Sequence, residues 1–250
     1  MTSPYLPQGF ALTFLGHSTL IFETEKGARV LIDPFVENNP RCPLKNAEVG
    51  DLDLIMLTHT HDDHFADCLP IAKATGCYIL AVPEVCAYLG SKGIAGDKLI
   101  AVNKGGTVPF DDLGFAVTMT HADHTSSIND NGTLLCAGEP MGFILHIPDG
   151  EETFTIYHAG DTAIFGDMRL LSEIYTPRLA LLPIGDHFTM GPREAAAASA
   201  LLSSVEHVIP IHYATFPMLT GTPEKFIEAL LHVEATVQVA TMEPGETIRG

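Results

Sequence analysis

Leu54-Ile55-Met56-Leu57-Thr58-His59-Thr60-His61-Asp62-Asp63-His64, residues 54–64, joins an apolar run to a dense group of histidines and aspartates. Residues 52–58 are nearly all apolar, as in a strand buried on both faces. Loops beyond the ends of such strands are where α/β folds place their chemistry. Three of the chain's 12 histidines fall within six residues here. In an extended segment, positions 59, 61 and 63 project to one side, and the chain must then turn for His64 to join them. Imidazole and carboxylate together suit a borderline divalent ion such as zinc, manganese or iron. A polar loop with solvent-facing histidines is the plainer alternative, and the spacing after a buried strand argues against it.

Outward from this stretch the pattern alternates. Toward the N-terminus, residues 10–15, 19–23 and 28–32 read as strands, with Glu25-Lys26-Gly27 turning a hairpin. On the other side a helix is expected within residues 66–74, then a strand over 77–82, a helix begun by Pro83, and a strand over 98–102. The middle is antiparallel in character: strands 107–110 and 115–120 flank Asp111–Gly114, and strands 143–147 and 153–158 flank Pro148-Asp149-Gly150. The α/β rhythm then returns, with strands over 179–184, 207–212 and 236–241 and helices over 192–203 and 223–233. No repeat, linker or low-complexity segment divides the chain, so one domain spanning residues 1–250 is expected.

Composition narrows the functional classes. The 250 residues are 46% hydrophobic and 18% charged, which excludes extensive disorder. Thirteen Lys and Arg against 31 Asp and Glu leave a formal charge of −18, so nucleic acid and anionic membranes are repelled at long range. The five cysteines are odd in number and form no C-x-x-C motif, so no disulfide framework is expected. Met1–Phe10 has no basic segment followed by an apolar run, and no stretch reaches the ~20 residues needed to span a bilayer. A cytoplasmic protein with a small-molecule substrate is expected, with homo-oligomerisation left open.

Further polar residues follow other expected strands: His121 and His124, His158 and Asp161, Asp186 and His187, and His212. Singly, each histidine is more often structural. Together they could complete the coordination that the 59–64 group begins. The pattern His59-x-His61-x-Asp63-His64, a distal His, Gly160-Asp161-Thr162 and a late His212 resembles the metallo-β-lactamase superfamily. Leu15-Gly16-His17-Ser18, Leu31-Ile32-Asp33-Pro34-Phe35, His158-Ala159-Gly160-Asp161-Thr162, Leu182-Pro183-Ile184-Gly185-Asp186, Phe188-Thr189-Met190-Gly191-Pro192 and Pro210-Ile211-His212-Tyr213 are similar to one branch of it. That branch is the UPF0173 family of metal-dependent hydrolases, related to the ascorbate-6-phosphate lactonase.

The resemblance implies an α/β fold, the four-layer αβ/βα sandwich of that superfamily, and two adjacent divalent ions. His59, His61 and a distal histidine would hold the first, Asp63, His64 and His212 the second, and Asp161 would bridge. The distal ligand is His124 or His121; the family's histidine followed by small polar residues matches His124-Thr125-Ser126-Ser127. Zinc ranks ahead of manganese or iron. His158 is expected to support the ligands, and His17 and Asp33 to line or buttress the pocket.

Such a pair of ions activates water to hydroxide near neutral pH. Asp63 would orient that water or move its proton. The expected reaction is hydrolysis of a small ester, lactone or phosphate ester. His187 and Thr189, on the loop before the helix at Pro192, are the expected substrate contacts. The alternatives are a di-iron redox enzyme, whose relatives carry Glu where His61 stands, and a non-catalytic metal-binding protein.

Overall fold

The computed structural model describes residues 5–250. The reading of Met1–Phe10 therefore falls in part on residues 1–4, which lie outside the described residues. Three antiparallel strands open the chain: β1 (Ala11–Gly16), β2 (Thr19–Glu23) and β3 (Arg29–Ile32). They continue in parallel through β4 (Leu54–Met56), β5 (Tyr78–Ala81) and β6 (Leu99–Ala101). Helices α1 (Asp62–Phe65) and α2 (Cys68–Thr75) connect β4 to β5, and α3 (Pro83–Ser91) connects β5 to β6.

The second sheet is antiparallel through β7 (Thr107–Phe110) and β8 (Phe115–His121). A separate hairpin, β9 (Ser127–Asp130) and β10 (Thr133–Cys136), then stands apart from both large sheets. β11 (Met141–Asp149) and β12 (Glu152–His158) rejoin the second sheet beside β8. Parallel pairing follows: α4 (Met168–Tyr175), β13 (Leu179–Pro183), α5 (Pro192–Leu201), β14 (His207–Ile211), α6 (Pro223–Leu230) and β15 (Gln238–Val239). Finally β16 (Thr247–Arg249) crosses back to the edge of the first sheet beside β1. The result is two seven-stranded sheets, ordered β16-β1-β2-β3-β4-β5-β6 and β15-β14-β13-β12-β11-β8-β7.

Alternation along the strands fills two interiors. One core joins both sheets through residues such as Leu12, Leu31, Ile55, Val117, Phe143 and Ile209. A second lies between the other face of the second sheet and helices α4–α6, with Ile144, Tyr157, Leu182, Ala195, Ala198 and Phe226. Register explains the split: Phe143 and Ile144 are neighbours on β11, so they face opposite cores. β4 carries no exposed residue, since β3 and β5 flank it and side chains cover both faces. Burying each of Leu54, Ile55 and Met56 contributes about 1.5–3 kcal/mol. The architecture is the α/β sandwich expected from the sequence.

Several local expectations need correction. The helix expected within 66–74 is α2, Cys68–Thr75, and it is preceded by an unexpected short helix that begins at Asp62, inside the histidine cluster. Strand 52–58 narrows to Leu54–Met56, and strand 236–241 to Gln238–Val239, which pairs only with His207 and Val208 at the sheet's margin. Helices 192–203 and 223–233 end at Leu201 and Leu230. The hairpin β9–β10, helix α4 and strand β16 were not anticipated.

Candidate metal centre

The segments that follow β1, β3, β4, β8, β12 and β14 meet where the two sheets touch. Backbone bonds tie them directly: Met141 N donates to Thr58 O at 2.9 Å, and His212 N to His17 O at 2.7 Å. After β4 the chain leaves the sheet as Thr58 N turns to the Asp33 carboxylate, 2.8 Å away. His61 is the extended residue before α1, with φ −64° and ψ 151°. The arrangement of 59, 61 and 63 along one side of an extended segment therefore stops at His61. Asp63 and His64 are successive residues of a helix and diverge, one toward His17 and the other toward Asp33 and Asp161.

Besides Asp33 with His59 and His64, two groups of ligand-type atoms result. Nitrogens of His59, His61 and His124 converge, with His59 Nε2 3.1 Å and His124 Nε2 3.3 Å from His61 Nδ1. Atoms of His17, Asp63, His64 and His212 form the second group, within 4.8 Å of one another. Asp161 stands among them, its Oδ1 3.3 Å from His64 Nε2 and its Oδ2 2.9 Å from His212 Nε2 and 3.7 Å from His124 Nε2. His64 Nε2, His212 Nε2 and Asp161 Oδ1 are buried yet make no bond of hydrogen-bonding geometry. Orphaned buried polar atoms cost about 1–3 kcal/mol each. Their convergence with imidazole and carboxylate donors fits a divalent cation.

Asp33 organises the nitrogens from behind. Its Oδ2 accepts from His64 Nδ1 at 2.8 Å and from the Thr58 hydroxyl at 2.6 Å. With that hydroxyl proton committed, the Thr58 oxygen accepts from His59 Nδ1, 3.0 Å away. One buried carboxylate thereby holds the Nδ1 protons of two imidazoles and turns both Nε2 atoms toward the centre. On the far side, His17 Nε2 donates to Asp63 Oδ2 at 3.0 Å, and its Nδ1 lies 2.9 Å from the Thr215 hydroxyl.

Charge follows these contacts. Burial pushes His17 down to about 4, helped by His212, so the ring is neutral at pH 7. Burial and the neighbouring His64 hold His59 well below the usual histidine range. Burial would lower His64 too, but Asp161 and Asp33 together raise it well above that range. Burial opposes ionisation of Asp161, yet His212 and His64 keep its carboxyl well below the usual carboxylate range. Asp63 is likewise lowered against its burial, chiefly by its bond to His17.

The backbone is strained where the ligand-type residues turn inward. His17, Asp33 and His212 have φ of 61°, 49° and 55°, in the left-handed region that side chains avoid. Gly160 at φ 64° has no such penalty, and a Cβ there would lie 2.7 Å from Met141 O. Gly185 serves close approach instead, because a Cβ would collide with the His212 carbonyl oxygen.

The structure thus brings His59, His61, Asp63, His64, His124, Asp161 and His212 together. His121 is exposed at the end of β8, its ring against Phe165, outside both groups. His158 Nδ1 accepts from Gly160 N at 3.1 Å and so buttresses the turn before Asp161. Neither His187 nor Thr189 lines the cavity beside Asp63. His187 is exposed beside Phe188, and Thr189 faces a separate cavity of about 520 Å³ at α5 and α6, with Arg193 and Lys225. Sequence reasoning gave Thr58 and Thr215 no role; both lie beside motif residues, at the end of β4 and after His212.

Comparisons with known proteins agree with this geometry. Residues 28–213 match the model of the β-lactamase superfamily domain. A UPF0173 metal-dependent hydrolase of Rubrobacter xylanophilus is 47% identical over 241 residues, covering 96% of each chain. Another, of Methanosarcina mazei, is 43% identical over 240 residues, covering 95% of this chain and 97% of its own. The solved structure of Igni18, a metallo hydrolase of the archaeon Ignicoccus hospitalis, superposes with a TM-score of 0.81 at 35% identity, over 95% of this chain and 97% of that one. With the family pattern, the fold and these relatives in agreement, the chain belongs to the UPF0173 metal-dependent hydrolases of the β-lactamase superfamily.

Proposed function

We propose that this hydrolase holds two divalent cations, zinc ahead of manganese or iron, and cleaves a small ester, lactone or phosphate ester in the cytosol. His59, His61 and His124 would hold one ion and Asp63, His64 and His212 the other. The observation that supports two ions is the position of Asp161, whose oxygens stand within 3.7 Å of nitrogens from both groups. When bound, such ions polarise a carbonyl or phosphoryl oxygen and lower the pKa of water toward ~7.

The chain's own residues supply orientation. Asp63 is the partly open member, its side chain 23% exposed while His17 and His212 are closed off. His17 engages Asp63 Oδ2, so Oδ1 is left to accept a hydrogen bond from the attacking group and align it. Asp33 and Thr58 hold His64 and His59 so that no ligand need rotate as the reaction proceeds. A lactone or carboxylic ester ranks ahead of a phosphate ester, by analogy with the lactonase branch.

Elemental analysis of protein made without chelators, run beside an ester and lactone panel, tests this reading. Two metals per chain and ester or lactone turnover are expected. Asp161→Ala should disturb both ions, and His124→Ala chiefly one. A fully active single-metal form would overturn the dinuclear reading.

A further inference from the structure

A cavity of about 640 Å³ opens beside Asp63, and its walls are largely hydrocarbon: Phe35, Phe65, Leu69, Tyr88, Ile128 and Phe216. It borders the candidate metal centre at Asp63. The His17 ring that holds Asp63 lies 5.8 Å from the Phe35 ring and 5.5 Å from the Phe216 ring. Phe35, Phe65 and Ile128 are themselves buried in place.

The charged groups at the margin have one sign. Asp62 and Asp63 line the cavity with Asn38 and Asn129, and among the described residues no lysine or arginine does. Lys92 is near, 5.1 Å from the Tyr88 ring, but both oxygens of Asp130 hold its ammonium at 2.8 and 2.9 Å. The contrast with the cavity at α5 and α6, where Arg193 and Lys225 stand, is direct. With Asp63 committed to the metal centre, a phosphate or carboxylate tail in the cavity would meet the Asp62 carboxylate and no lining lysine or arginine.

We infer that this cavity receives the non-reacting end of the substrate and selects an uncharged apolar group, aryl or straight alkyl. The inference rests on the hydrolase reading above and adds the substrate class. An apolar tail gains from burial against Leu69, Ile128 and the rings, while an anionic tail faces Asp62 with no lining cation to pair with.

The test uses metal-loaded protein and p-nitrophenyl esters of one leaving group. The acyl chains run from acetate through butyrate and hexanoate to 4-phenylbutyrate, with succinate and 4-(trimethylammonio)butyrate as charged counterparts. kcat/KM should rise about three- to fourfold per methylene until the cavity is filled. The anionic ester should fall roughly tenfold below the neutral one of equal length. Leu69→Asp should flatten the series at wild-type metal content, and Asn38→Lys should improve the anionic ester about fivefold.

Calorimetric binding of 4-phenylbutanol is read separately from turnover. If no ester is cleaved yet the alcohol binds wild-type protein and not Leu69→Asp, the ester reading of the proposed function fails and the cavity assignment stands. A flat alkyl series, a preference for either charged ester, or equal binding of the alcohol by wild type and Leu69→Asp would overturn the assignment.

Discussion

Asp33 is the residue on which most of the centre depends, although it donates nothing to the space between the ligand groups. Its two oxygens accept from Thr58 N, the Thr58 hydroxyl and His64 Nδ1. Asp33→Asn keeps the shape but sets an amide NH2 against donors, so His64 must release its Nδ1 proton or lose the bond. Metal affinity should fall 10–100-fold by chelator competition. An unchanged affinity would mean that the imidazole is oriented by packing alone. The choice between two histidines is also decided at this scale: His124→Ala should lose metal, whereas His121→Ala should retain it, by elemental analysis of both variants. His124 Nε2 is 3.3 Å from His61 Nδ1, whereas His121 packs on Phe165.

Elements set where those residues arrive. β13 and β14 run parallel, Pro183 beside Ile211, so Gly185 and His212 leave the sheet side by side. A side chain on Gly185 would displace the His212 carbonyl, and with it a residue already at φ 55°. Gly185→Ala should therefore cost about 2 kcal/mol or more and lower metal content together with Tm. A thermal melt beside elemental analysis checks it. The hairpin β9–β10 is a second device at this scale. Asn131 and Gly132, at φ 52° and 85°, make a turn in which both central residues are left-handed, and β9 brings Ile128 to the cavity wall. The Asn-Gly signal was in the sequence, but the flanking segments lack the apolar alternation that identifies strands. Helix α4 escaped for a similar reason. Met168, Leu171, Ser172 and Tyr175 form one helical face, while exposed Leu170 and Ile174 blur the pattern.

At the scale of the molecule, the centre lies where two sheets meet, and the bound ions should hold them together. Asp33 and Asp161 are buried carboxylates, and histidines from both sheets surround them. Ligands that bind only the folded chain stabilise it by about 4 kcal/mol at a thousandfold excess over Kd. For a chain of this size that is about 10 °C in Tm. Chelation should lower Tm by that order, and restoring zinc should recover it, as calorimetry would show. Equal melting with and without metal would mean that the sheets are held by their apolar core alone.

The sequence by itself determined the class of fold and the identity of the ligand-type residues. Near-continuous apolar strands, each followed by a short polar motif, encode both the sheets and the ends at which chemistry collects, and both signals are local. His59, His61, Asp63 and His64 were legible as a dense motif and Asp161 and His212 as polar residues beside strand ends, whereas His124 was preferred to His121 only through the family resemblance. Tertiary structure alone decided which of them face one another, and which carboxylate orients them. Asp33 lies 25 residues from Thr58 and 31 from His64 along the chain, and only pairing of β3 with β4 brings it beneath both. The same holds for the apolar cavity: Phe35, Tyr88, Ile128 and Phe216 are far apart in sequence and belong to no common motif. Periodicity reports which face of an element is buried, but the partner across that face is set by packing of the whole chain.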